Sequence, residues 1–147
     1  MNTISFNTSI GWISLSEQND LITSVKFGKK KNKGKNLVLI KLKKQIIEFT
    51  QGKRNKFSVK LNIEGTALQK KIWKKLSNIN YGSTKTYGEI AKSLSTSPRY
   101  VGNVCGQNNH LLIIPCHRVV RSDGTLGGFS GLGGINLKKK LLQLEQA

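Results

Sequence analysis

The first part of the chain carries short apolar runs rich in Ile, Phe, Trp and Val, broken by polar residues. Segments 3–8, 11–16 and 21–27 read as strands of a β meander, and Glu17-Gln18-Asn19-Asp20 between the last two reads as a turn. The period then changes. Leu39, Leu42, Ile46 and Phe49 recur at three- and four-residue spacing and Gly52 follows, which predicts a helix over 37–50. Residues 53–63 show neither period and read as an extended link. Thr66-Ala67-Leu68-Gln69 has the capping-box pattern and opens a helix with Leu68, Ile72, Leu76 and Ile79 on one stripe. Thr86-Tyr87-Gly88-Glu89 repeats that pattern and opens a short helix carrying Ile90, Ala91 and Leu94. After the turn Ser95-Thr96-Ser97, Ser97 can cap a further helix whose first residue, Pro98, sits where no N–H is needed. That helix turns Val101 and Val104 inward and stops near Gly106-Gln107-Asn108. Leu111-Leu112-Ile113-Ile114 predicts a buried strand, and Leu137, Leu141 and Leu144 mark an amphipathic helix over 136–146. The pattern as a whole is that of a mixed α/β (α+β) protein in two parts. Residues 1–64 form an antiparallel sheet with a helix, and residues 65–147 are mostly helical.

Composition narrows the function. Among 147 residues, 25 Lys and Arg face seven Asp and Glu, a formal charge of +18. Such an excess favours a polyanionic partner, because basic side chains displace counterions condensed on phosphates. The excess is spread through the chain, with 13 basic and four acidic residues in 1–65 and 12 and three in 66–147, so neither half is a basic tail. The lysine-rich run 29–35 is most simply a solvated loop. Only four basic residues are Arg, and three of them, Arg99, Arg118 and Arg121, lie close in sequence, where a planar five-donor fork has specific work to do. No apolar run approaches the ~18–20 residues of a membrane span. The first residues have no secretory pattern, so the reducing cytosol is expected, with nucleoid association when nucleic acid is bound. Two Cys and two His cannot build a disulfide scaffold or a Cys₄ zinc site, and no metal or cofactor is expected.

Two short helices joined by a three-residue turn, in a chain this basic, suggest a helix-turn-helix, with Arg99 placed to reach a groove. Short helix pairs are also ordinary packing units, and Arg99 could be a surface residue. A thiol needs help to act near neutral pH. Cys116 could be that thiol, His117 its proton acceptor and Glu145 the carboxylate orienting the histidine. Adjacency alone does not make Cys116 and His117 a dyad. In extended chain their side chains diverge, so a bend or a bridging water is required. Buried filler is the plainer reading of either residue, and Cys105, on the inward side of its helix, reads as packing.

Ile113-Ile114-Pro115-Cys116-His117-Arg118-Val119-Val120 resembles the active-site motif of the O6-alkylguanine-DNA alkyltransferases. The segment from Gly65-Thr66 to Trp73, and that from Tyr81-Gly82 to Tyr87-Gly88-Glu89-Ile90-Ala91, are similar to the family's approach to its helix-turn-helix. Pro98-Arg99-Tyr100-Val101-Gly102-Asn103 and Asn108 are similar to its recognition helix and following turn, Gly127-Gly128-Phe129-Ser130-Gly131 to its lid, and Leu141-Leu142-Gln143-Leu144-Glu145 to its last helix. Residues 65–145 are covered closely, and residues 1–64 resemble the family's ribonuclease-H-like half more weakly. The span from Tyr87 to Arg99 is two residues shorter than in much of the family, and the stretch between lid and last helix about two longer.

The resemblance implies double-stranded DNA containing alkylated guanine as partner, no membrane, and action as a monomer. It implies a base-flipping repair protein in which Arg99 enters the stack and Tyr87 helps turn the nucleotide and protonates the departing guanine. Thr86, Ser97, Tyr100 and Gly102 would also touch DNA. The flipped base would sit among Pro115, Val119, Phe129, Ser130 and Gly131, with Asn108 bracing the turn behind. Cys116 would take the alkyl group irreversibly, once per molecule, with His117 and Glu145 handling its proton. O4-alkylthymine is a second candidate substrate. Three other readings stand beside this one: an alkyltransferase-like lesion binder, a Cys-His hydrolase, and a helix-turn-helix transcription factor.

Overall fold

The computed structural model describes residues 1–127 and 134–146. The chain forms two compact units, Met1–Ile63 with Asn109–Ile113, and Glu64–Asn108 with Ile114–Gln146.

In the first unit, β1 (Asn2–Thr8), β2 (Gly11–Gln18) and β3 (Leu21–Phe27) form an antiparallel meander with β2 central. Strand β2 runs two residues beyond the expected end and the turn contracts to Asn19 and Asp20. Both have positive φ, 54° and 64°, as a two-residue hairpin with right-handed twist requires. The charge of Glu17 does not end the strand, because its carboxylate is satisfied. Oε1 accepts from Asn2 Nδ2 at 2.6 Å and Oε2 from the Asp20 N–H at 3.1 Å. Helix α1 (Leu37–Thr50) begins at Asn36, whose side chain accepts from the Val38 and Leu39 amides, and it buries Leu39, Leu42, Ile46 and Phe49. It packs on β1, β2 and β3.

No strand forms at Leu111–Ile114. The apolar run is a buried turn beside β3, with Leu112 at φ 72°. Val25 donates to the Asn109 carbonyl at 2.8 Å and accepts from the Leu111 amide at 3.1 Å, a single bridge and not a ladder. Burial is common to strand and buried turn, so four apolar residues alone do not separate the two. His110 lies within this turn, 4% exposed, and its Nε2–H donates to the Ile22 carbonyl at 2.8 Å.

In the second unit, α2 (Ala67–Ser77) and α3 (Tyr87–Ser93) both start with complete capping boxes, from Thr66 and Thr86. Helix α4 (Pro98–Gly106) is capped by Ser97 and begins with proline. Trp73 Nε1 donates to the Val104 carbonyl at 3.2 Å, which fastens α2 to α4, and α3 packs on α4. A two-residue parallel pair, β4 (Lys85–Thr86) with β5 (Val119–Val120), ties the start of α3 to the chain just after Cys116. Helix α5 (Gly134–Gln146) packs against the 3₁₀ turn Cys116–Arg118.

Burial lowers the pKa of His110, so it is neutral in the fold, although its bond to Ile22 works the other way. The unfolded chain takes up a proton near pH 6.5 that the folded chain resists. Stability therefore falls as pH drops through that value. Denaturant midpoints measured between pH 8 and pH 5 should decline on the acid side, and His110→Gln should make that decline shallower. An unchanged slope in the variant would contradict a buried neutral His110.

Candidate active site and nucleic-acid interface

The segment after Pro115 does not stay extended. Cys116–Arg118 form a 3₁₀ turn, which spaces three successive side chains around the axis at three residues per turn. All three are buried. The acid they need comes from α5. Glu145 Oε2 accepts from His117 Nε2 at 2.6 Å, and Arg118 grips the same carboxylate with both arms of its fork, Nε to Oε1 at 2.8 Å and Nη2 to Oε2 at 3.0 Å. The remaining Arg118 nitrogen, Nη1, donates to the Ile79 carbonyl at 2.8 Å. Burial disfavours a charge on Glu145, but the hydrogen bonds from His117 and Arg118 outweigh it and hold the carboxyl at about 2. Burial pushes the His117 pKa down against the pull of Glu145, so the ring is neutral. With Nε2–H committed to the carboxylate, Nδ1 carries the lone pair. That atom is buried and has no hydrogen-bond partner among the described residues.

Asn108 is placed by the end of α4. Its Nδ2 donates to the Ile114 carbonyl at 2.8 Å, fixing the approach to Pro115-Cys116, and its side chain also hydrogen-bonds the Cys116 sulfur. Burial raises the thiol pKa, with Asn108 and the charge of Lys138 acting in the opposite direction. Cys116 is therefore a thiol at neutral pH and must hand its proton to an acceptor when it reacts. Cys105 is likewise pushed up, to about 12, by burial first and then by Cys116, as fits an inert packing residue.

Tyr87, the first residue of α3, is held in its phenol form at about 12, mainly by burial. Lys138 Nζ lies 3.3 Å from its hydroxyl and 5.5 Å from its ring centre. Lys138 is fully buried. Sequence reading passed over it as one of three consecutive lysines. Yet it falls on the face of α5 shared with Leu141 and Glu145, three and seven residues on, and that spacing was the available signal. The role of Arg118 was visible only as part of an unexplained arginine cluster.

A cavity of about 660 Å³ opens in front of Cys116. Tyr87, Arg99, Gly102 and Cys105 line it, as do Arg121, Ser122 and Asp123, which the sequence did not single out. Gly127, at φ 73°, lies against Tyr87, and a Cβ there would sit 3.0 Å from both the ring and its hydroxyl. Thr86 and Ser97 serve as helix caps, accepting from the Glu89 and Tyr100 amides. Tyr100 is half-buried on α4. Pro115 and Val119 are buried and, among the described residues, are not part of the cavity lining. Phe129, Ser130 and Gly131 lie outside the described residues. Among the described residues no group of three or more His, Cys, Asp or Glu could hold a metal ion, and no helix is long and apolar enough to cross a membrane.

Residues 67–147 match the family described as 6-O-methylguanine DNA methyltransferase, DNA binding domain. The chain belongs to the 6-O-methylguanine DNA methyltransferase family. It is 41% identical over 105 residues to a methylated-DNA–protein-cysteine methyltransferase of Mycobacterium bovis, a match covering 70% of this chain and 62% of that protein. It is 44% identical over 105 residues to the protein of the same name from Methanosarcina barkeri, covering 70% of this chain and 65% of that protein. The matched region thus spans a little under two thirds of the length of these curated relatives. Among solved structures, Mycobacterium tuberculosis OGT in complex with DNA superposes with a TM-score of 0.88 at 32% identity, over 98% of this chain and 92% of that one. This family membership covers both units, since the superposition takes in nearly the whole chain.

Truncating Arg118 leaves the buried Glu145 carboxylate with His117 and the Gly82 N–H, the latter at 3.4 Å, and without its permanently charged partner. Arg118→Met should lower stability by about 3–5 kcal/mol, the usual loss when half of a buried ion pair is removed. The shift in the denaturant midpoint measures it, and a loss below 1 kcal/mol would mean that Glu145 does not depend on the fork.

Proposed function

We propose that this chain is a DNA repair protein that extrudes O6-alkylguanine from duplex DNA and moves the alkyl group onto Cys116, as a methylated-DNA–protein-cysteine methyltransferase. The observation that carries this reading is a buried thiol that shares one cavity with Arg99 of the helix pair α3–α4, beside a neutral histidine whose Nδ1 is free to accept a proton. The names of its relatives and the DNA in the M. tuberculosis complex support the same reading.

In this mechanism Arg99 fills the space the extruded nucleotide leaves, and the base enters the cavity between Tyr87 and Cys116. The sulfur attacks the alkyl carbon. A C–S bond forms as the C–O6 bond breaks, and the electron pair leaves with the guanine. The thiol proton passes through a water to His117 Nδ1, and Glu145, itself held by Arg118, stabilises the imidazolium that results. Tyr87, kept protonated by its surroundings, gives a proton to the leaving base, and Asn108 steadies the sulfur. Thr86 and Ser97, at the starts of α3 and α4, and Tyr100 and Gly102, on α4, border the DNA. Residues 65–147 carry both DNA binding and chemistry, and residues 1–64 are the ribonuclease-H-like half. A thioether is stable to water, so each molecule reacts once. No cofactor enters, and the protein acts as a monomer in the cytoplasm.

A duplex carrying radiolabelled O6-methylguanine should transfer one label per protein molecule, and Cys116→Ala should transfer none. Binding without transfer would indicate a lesion-recognition protein instead. Arg99→Ala should slow repair in duplex far more than reaction with free O6-benzylguanine, because the side chain acts in extrusion. Equal loss on both substrates would remove that role.

A further inference from the structure

The charge of the second unit is not concentrated on the helix pair assigned to DNA. Helices α3 and α4 together carry Lys92 and Arg99 against Glu89, whereas α2 carries Lys70, Lys71, Lys74 and Lys75 and no acid. All four lysines are exposed, and among the described residues none is in a salt bridge. Their direction follows from helix geometry. At about 100° per residue, Ile72, Trp73 and Leu76 fall together with Gln69 on one side of α2, and the four lysines are centred about 180° away. The first side faces α4: Trp73 bonds the Val104 carbonyl, and Gln69 Nε2 donates to Gln107 Oε1 at 2.8 Å. The lysines therefore point away from α4 and from DNA held on it.

Lys74 and Lys75 suit the C-terminal end of the helix dipole, but the stripe sets like charges side by side with no acid among them. Lys70 with Lys74, and Lys71 with Lys75, are like-charge pairs at i,i+4, which repel along the helix side. A face serving only solubility is better built with acids interspersed, as Lys85 and Glu89 are at 3.7 Å elsewhere in this unit. A row of phosphates relieves the repulsion.

We propose that the Lys70–Lys71–Lys74–Lys75 face of α2 is a second duplex-binding surface, by which one molecule joins the DNA it repairs to a neighbouring DNA segment. The contact is to phosphates and has no sequence preference. It rests on the reading of α3–α4 as the lesion-binding surface. The partner on α2 is undamaged duplex, held through its phosphates and without need of a lesion.

The test uses the full chain and a variant with all four lysines replaced by glutamine, which has nearly the same helix propensity. Circular dichroism and the thermal midpoint confirm its fold. A lesion-bearing duplex on beads, loaded with protein, is exposed to a labelled undamaged duplex. The native protein should capture the second duplex, and the variant should capture at least about tenfold less. Binding to a single short lesion duplex and label transfer should be the same in both, with salt slopes equal to within about one phosphate contact. If the single-duplex slope of the variant falls by about three to four, the lysines touch the same duplex as α4 and the proposal is overturned. Failure of the native protein to capture, or equal capture by the variant, overturns it as well. Absence of label transfer in the native protein would instead count against the repair reading, and capture would still be scored.

Discussion

The site depends on one buried carboxylate. Glu145 is charged in a place where burial opposes charge, and it stays so because His117 and both arms of the Arg118 fork converge on it. Those bonds do three things at once. They set the tautomer of His117, they anchor α5 to the 3₁₀ turn that carries the thiol, and through Arg118 they reach the Ile79 carbonyl just beyond α2. A well-packed apolar cluster could hold the same elements together as firmly. It could not leave a bare imidazole nitrogen in a buried space beside a thiol.

The protonation states follow from that arrangement. Burial keeps Cys116 a thiol and Tyr87 a phenol, and keeps His117 neutral. In the proposed mechanism each group thus starts in the form from which a single proton movement proceeds, thiol to histidine and phenol to leaving base. Lys138 lies within reach of Tyr87, and its charge acts against burial at Cys116. A resting thiol in place of a resting thiolate also suits the proposed role of a nucleophile used once, since it is spared oxidation until substrate arrives.

Much of the second unit could be read in advance because its signals are local. Capping boxes at Thr66 and Thr86, and Ser97 before Pro98, involve residues three positions apart, and all three caps are present as expected. The α1 boundaries follow equally from the spacing of Leu39, Leu42, Ile46 and Phe49. Leu111–Ile114 misled for the opposite reason. Its conformation is decided by the one bridge it makes to Val25, far away in sequence, and not by its own composition.

Local signals were enough to place the starts of α2, α3 and α4, to single out Cys116, His117 and Glu145 as candidates, and to suggest a helix pair in a strongly basic chain. It took the closed core to show that Arg118 holds Glu145 together with His117, that Lys138 is buried at Tyr87, and that residues of the loop from Arg121 to Gly127 wall the cavity. Capping and amphipathic stripes are set within a few residues, where chain connectivity fixes the distances. The partners of a buried charge come from wherever the chain can supply them, and that choice is made only when the core closes.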